Sequence, residues 1–226
     1  MNQTPFTPQE SPFAHNPPPS PGSPPSPPPT AASEVTNAEF VAAIFPKLQE
    51  GAHAAVCSKP SDPTVGGWLA KRADLVASKL STTNNNYLNC SSFNLGDDDV
   101  IHARKNNFVA YHFIMLDDLG TKIPFDQFGN FKWSYLLETS PGNYQGGIIL
   151  AEPLNNGDVA NQLLDAVIAA GLCDAGATGA QSRWARLPVG INGKAKYANS
   201  NGLPFQCRLK EWNPESVYTL QEIVDS

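Results

Sequence analysis

Residues 108–116, Phe-Val-Ala-Tyr-His-Phe-Ile-Met-Leu, run without a formal charge and stop on Asp117-Asp118. So apolar, aromatic and β-branched a stretch predicts a buried strand. Two carboxylates ending a buried strand are costly unless something positive faces them. One such partner is a divalent cation carrying a nucleoside triphosphate, because Mg²⁺ prefers carboxylate and phosphate oxygens together. The plainer reading is a pair of turn-forming aspartates leading into Leu119-Gly120.

The remaining periodicities intermix strands and helices around this run. Strands are expected at 54–57, 87–93, 133–139, 144–150, 184–188 and 205–212. Ser140-Pro141-Gly142-Asn143 has the chemistry of a hairpin turn between two of them. Thr36-Asn37-Ala38-Glu39 fits a capping box, with Phe40, Ile44 and Leu48 following at helical spacing until Pro46 ends or kinks the run. Further helices are expected at 68–80, with Lys71, Arg72 and Lys79 on the wet side, and at about 98–107 behind Asp97-Asp98-Asp99. A helix over 158–170 carries Val159, Leu163, Ala166, Val167 and Ala170 on one face and stops at Gly171, and a last one begins near Thr219. No internal repeat is present. The pattern predicts a mixed α+β fold.

Composition narrows the setting. Segment 1–33 is Pro- and Ser-rich, with proline tracts at 17–19 and 27–29, and lacks the apolar groups needed for a core. It is expected to be a disordered tail or tether, or else a polyproline ligand for a partner, ahead of a single domain over 34–226. With 15 Lys+Arg against 21 Asp+Glu, the net charge of −6 excludes a polybasic protein that holds nucleic acid by bulk charge. No apolar run approaches a membrane span and no secretory signal is visible, so a cytoplasmic protein with no membrane partner is expected. Cys57, Cys90, Cys173 and Cys207 are scattered and read as reduced thiols.

Charge is unevenly distributed. Between 175 and 210 there is no Asp or Glu, yet Arg183, Arg186, Lys194, Lys196, Arg208 and Lys210 all lie there. Such a segment suits an anion, either a triphosphate or a nucleic-acid backbone, and otherwise reads as a solvated strand face. Arg183 and Arg186 would face opposite sides of a strand, so one is expected to touch a ligand while the other pins the loop. The polar turn Glu138-Thr139-Ser140-Pro141-Gly142-Asn143-Tyr144-Gln145 could direct its amides, Ser140 and Asn143 at a phosphate or sugar, although by itself it is a hairpin. His112 reads as a core histidine. No GxSxG, Walker A or GxGxxG element occurs, and the paired histidines of rolling-circle nicking enzymes are missing.

Taken in order, the apolar strand with Asp-Asp-x-Gly-Thr-Lys, then Glu-Thr-Ser-Pro-Gly-Asn-Tyr-Gln, then Asp174 and Arg-x-x-Arg-Leu-Pro-x-Gly-x-Asn-Gly-Lys resemble the RepB-like primase domain. That family lies in the archaeo-eukaryotic primase superfamily of plasmids and phages. The resemblance covers 85–225 well and 36–84 loosely. It implies an α+β, RRM-like mixed sheet with packed helices forming a primase catalytic core. It also implies metal ions, Mg²⁺ or Mn²⁺, held by Asp117, Asp118 and Asp174, with Glu138 in reserve. Ser140, Asn143, Gln145, Arg183, Arg186, Asn192, Lys194 and Lys122 would serve the nucleotide, Gln145 standing where the family carries a histidine. Adjacent residues of a regular strand face opposite sides. Either the strand therefore ends at Leu116 and both aspartates swing inward, or Asp118 ligates without Asp117. The implied reaction is template-directed nucleotidyl transfer, with single-stranded DNA and nucleoside triphosphates as partners and a replicative helicase as a further one. The rival readings are a non-catalytic RRM-like replication module and a phosphoesterase using the same carboxylates.

Overall fold

The computed structural model describes residues 35–60 and 62–225; the tail expected over 1–33 lies outside the described residues. The first helix grows from its cap. The Glu39 amide donates to the Thr36 hydroxyl (3.2 Å) while the Thr36 amide donates to the Glu39 carboxylate (2.9 Å), the reciprocal pair expected from the sequence. Helix α1, Asn37–Ile44, buries Phe40 and Ile44 and ends before Pro46, which leaves Leu48 outside it and exposed.

Strand β1 is His53–Lys59, β2 Lys71–Arg72, β3 Asn85–Phe93, β4 Phe108–Leu119, β5 Tyr135–Ser140 and β6 Asn143–Leu154. After helix α3, Gly157–Ala169, come β7, Trp184–Arg186, β8, Ile191–Asn192, β9, Phe205–Gln206, β10, Arg208–Trp212, and β11, Val217–Tyr218. Helix α2 is the four-residue Ala73–Val76, and α4 is Leu220–Val224. One mixed sheet runs β10-β5-β6-β4-β3-β1-β2 with antiparallel neighbours, and β11 joins β6 in parallel. The expected α+β mixed sheet with packed helices is therefore present. The hairpin expected at 140–143 joins β5 to β6, pairing Ser140 with Asn143 across Pro141 and a left-handed Gly142 (φ 69°).

The site is positioned by a change of partner along β3. Its second half pairs with β4 (Ser91 with Tyr111, Ser92 with Ala110), whereas its first half pairs with β7 (Tyr87 with Arg186, Asn89 with Trp184). β4, which ends on the two aspartates, and β7, with Arg186 and the preceding Arg183, thus lie along the same edge of β3.

Three sequence expectations are corrected. Residues 68–80 do not form one helix: Lys71 and Arg72 pair with Val56 and Ala55 on the open edge of β1, leaving only α2 and a 3-10 turn at Ala77–Lys79. Residues 98–107 form no helix beyond a 3-10 turn at Lys105–Asn107. There the Asp98 carboxylate accepts the Val100 amide and pairs with His102, and Asp99 is left-handed, so side-chain bonds replace the helical ladder. Helix α3 forms where expected but rolls, burying Ala160 and Leu164 and turning Val159, Ala166 and Ala170 outward. The Gln181 side chain lies where a Cβ on Gly157 would be, a close approach that fixes this roll.

His112 lies in the core as expected, 2% exposed, with Nε2 2.9 Å from Ser92 Oγ and its ring against Phe45. Burial pushes its pKa down from 6.5 to about 4. The unfolded chain therefore takes up a proton first as pH falls. The contribution is complete above about pH 6.5 and is lost between there and about pH 4, roughly 3 kcal/mol in all. Urea midpoints at pH 7 and pH 4.5 should fall further apart for the wild type than for His112→Gln; equal differences would mean that this ring is not what titrates.

Candidate functional site

The adjacent aspartates are reconciled by a bulge. Strand β4 does not end at Leu116: it continues to Leu119, but the register slips, so that Leu116 pairs with Gly146 and Leu119 with Tyr144. One extra residue on β4 breaks the alternation of side chains. Asp118 takes it up with a left-handed backbone (φ 61°), a conformation that Asp tolerates better than most residues. Asp117 and Asp118 consequently line the same cavities. The Asp118 carbonyl accepts the amides of Lys122 (3.0 Å) and Ile123 (3.1 Å), folding the chain back so that Lys122 reaches the Asp118 carboxylate. Asn143 Nδ2 donates to Asp118 Oδ1 (3.1 Å), and Asn143 Oδ1 accepts the Thr121 hydroxyl (2.6 Å). Asn143 is thus an orienting residue for the second aspartate.

Asp117 is held from three sides. Its Oδ1 accepts Gln145 Nε2 at 3.2 Å and the Asp118 amide at 3.0 Å, and Arg183 Nη2 lies 3.3 Å from Oδ2. Its own amide donates to the buried Cys173 thiol at 3.3 Å. That bond ties the segment after α3 to the end of β4 and delivers the next residue, Asp174. Lys122 Nζ lies 2.7 Å from both Asp118 Oδ2 and Asp174 Oδ1, so those oxygens are at most twice that distance apart. The hydrogen bonds it donates to Asp118 and then Asp174 raise the Lys122 ammonium well above the usual lysine range. In turn Lys122 holds the Asp174 carboxyl below the usual carboxylate range.

The basic segment divides its work. Arg186 is 5% exposed; its amide donates to Gln145 Oε1 (2.9 Å) and its guanidinium to Ile191 O (2.8 Å), Asn192 Oδ1 (2.9 Å) and Asn85 Oδ1 (3.3 Å), with the Tyr87 ring 4.9 Å away. These hydrogen-bond partners are neutral, so the positive charge is solvated by the protein without being cancelled by it. Arg186 pins the loop through Ile191 and Asn192, and Arg183 braces Asp117. Asn192 is spent in the same network, its Nδ2 donating to Thr139 O (2.8 Å). Gln145 also has both ends engaged, between Asp117 and Arg186. Its expected role against phosphate gives way to a positioning one.

Two cavities share Asp117, Asp118, Asn143, Lys194 and Tyr197. One, of about 470 Å³, adds Lys122, Ser140, Asp174 and Lys196; the other, of about 320 Å³, adds Arg183, Arg186 and the aromatic rings of Trp68, Tyr87 and Trp184. Glu138, the reserve ligand, lines neither. It lies opposite Arg208 in the sheet register, and its carboxylate is 3.9 Å from Arg208 and 3.5 Å from Lys210. Those two cations therefore face Glu138. Cys173, Thr121 and the three rings were not singled out from the sequence. Only the position of Cys173 next to Asp174 carried a hint.

The donor set suits a hard divalent cation. The carboxylate side chains of Asp117, Asp118 and Asp174 are 27, 24 and 25% exposed, open from one side, and Asp118 and Asp174 already flank one cationic atom. Among the described residues no three His, Cys, Asp or Glu side chains converge on one shared position; Asp117 is turned toward Arg183 and Gln145 instead.

The model of the RepB DNA-primase N-terminal domain matches residues 80–226, and the chain belongs to that family. Its function is that of a DNA primase of the plasmid and phage type. Among solved structures, the AEP domain of the cyanophage S-2L primase-polymerase is similar, with a TM-score of 0.55 at 13% identity over 86% of this chain and 98% of that one. Primase RepB′ is also similar, with a TM-score of 0.52 at 14% identity over 80% of this chain and 58% of that one. At such identities the likeness is one of fold. No curated protein sequence matches. Among the described residues no helix is long and apolar enough to cross a membrane.

Proposed function

We propose that the chain synthesises primers by nucleotidyl transfer on a single-stranded DNA template, with residues 34–226 as the catalytic unit and 1–33 as a tether. The observation that carries this is that Asp117, Asp118 and Lys194 line both of two adjoining cavities, of which one adds Asp174, Lys122 and Lys196 and the other Arg183. A hydroxyl oxygen attacks the α-phosphorus of a nucleoside triphosphate. The bond to the bridging oxygen breaks, pyrophosphate leaves, and the hydroxyl proton passes to solvent. Mg²⁺ or Mn²⁺ held by Asp118 and Asp174, with Asp117 alongside, would supply phosphate charge neutralisation and acidify the attacking hydroxyl.

The chain's own residues do the rest. Lys194 and Lys196 bind the phosphates, Asn143 orients Asp118, and Gln145 fixes Asp117 beside Arg183. Arg186 adds an uncancelled positive charge behind the phosphates, which matters more in a partly desolvated site than in water. The basic segment would bear the template backbone, and a replicative helicase would act downstream of the primer.

Labelled nucleoside triphosphate, single-stranded DNA and Mg²⁺ or Mn²⁺ should give short oligonucleotides on a gel, with pyrophosphate released. Release of orthophosphate without oligonucleotides would make the protein a phosphoesterase, and DNA binding with no turnover would make it a non-catalytic module.

A further inference from the structure

We propose that Trp68 stacks on the base of the bound nucleoside triphosphate, which makes the loop 62–70 the base-side wall of the site. This rests on the nucleotide reading given above and adds which group of the substrate is read, and by what.

The joined cavities differ in what each adds to the shared aspartates and Lys194. The larger one adds Lys122 and Lys196; the smaller one adds Arg183 and Arg186 and alone carries the rings of Trp68, Tyr87 and Trp184. A nucleoside triphosphate has an anionic chain at one end and a flat π surface at the other. At about 320 Å³ the aromatic cavity has room for one base with its sugar, and not for a run of template.

Trp68 is arranged as a platform. It is 46% exposed, lies nearly parallel to Trp184 (centroids 5.7 Å, interplanar angle 19°) and meets Tyr87 edge-on at 4.8 Å. Trp184 immediately follows Arg183, which braces Asp117, so the platform and the first carboxylate are tied to one segment.

The loop itself is fastened. Lys59, only 6% exposed, donates to the carbonyls of Pro63 (2.7 Å) and Gly66 (3.2 Å) and holds its ammonium 4.5 Å from the Trp68 ring centroid. Asp62 accepts both the amide (2.9 Å) and the hydroxyl (2.7 Å) of Thr64. A buried lysine spent on two loop carbonyls and an indole keeps Trp68 in place before any ligand arrives, which lowers the ordering cost of stacking. The loop also precedes residue 80, where the family match begins, so the base-side wall lies outside the matched region.

The test compares ATP with inorganic tripolyphosphate, both with Mg²⁺, by calorimetry on the full chain. Trp68→Ala should weaken ATP binding about tenfold, within the range of base–aromatic stacking, and leave tripolyphosphate within about twofold. Trp68→Phe should recover most of the loss, and thermal midpoints should stay unchanged. Unchanged ATP affinity in Trp68→Ala overturns the stacking inference while leaving the primase reading standing; so does an equal loss for both ligands, which would mark Trp68 as merely structural. If Trp68→Ala instead loses a fluorescent single-stranded oligonucleotide and keeps ATP, the indole serves the template and the inference is wrong. A wild type that binds neither ligand removes the nucleotide reading itself.

Discussion

Asp117→Asn is expected to leave the protein folded and to lower nucleotide incorporation more than about a hundredfold. The amide has the shape of the carboxylate and keeps one oxygen for Gln145 or Arg183, so packing at the end of β4 survives. The negative charge does not survive, and with it goes the attraction for any cation shared with Asp118 and Asp174. Incorporation of labelled nucleotide, read beside the thermal midpoint, separates the two effects. Full activity at an unchanged midpoint would take Asp117 out of the chemistry. Glu138→Gln supplies the contrast: that carboxylate faces Arg208 and Lys210, and incorporation should stay within about twofold.

Arg186→Ala is expected to cost about 4 kcal/mol of stability, a loss large enough to expose a marginal fold. It strips partners from Asn85 Oδ1, Asn192 Oδ1 and Ile191 O, all in the region that seats β8, and removes a cation from the face of Tyr87. Arg186→Lys should recover only a small part, because one ammonium cannot reproduce a planar fork that serves several acceptors at once. Urea unfolding gives the number; a loss below about 1 kcal/mol would mean that water replaces the guanidinium without penalty.

Strands written as apolar runs were legible to within about four residues at either end. The run at 108–116 and the pair joined by Pro141-Gly142 became β4, β5 and β6, because burial and turn chemistry act locally. The helix expected over 68–80 failed for a reason no local pattern carries: the bare edge of β1 competes for Lys71 and Arg72, and the Trp184 ring draws Trp68. The acidic positions of the site were legible as residue types, while their geometry was not. Whether Asp117 and Asp118 share a side depends on one backbone dihedral at Asp118, and that is set by pairing with β6. Gln145 and Asn192 were legible as polar groups near phosphate chemistry. Only the fold shows that both are consumed in holding Asp117 and Arg186.

The surplus residue near the end of β4 acts like a half-twist in a ribbon. Upstream of it the strand obeys the core, and Phe113 through Leu116 are almost wholly shielded from water. Downstream, the same ribbon answers to the solvent-facing hollow. The number of residues between His112 and Leu119 is therefore as much a part of the acidic doublet as its two side chains. Shortening that interval by one would restore a plain ribbon and send one of the acids into oil.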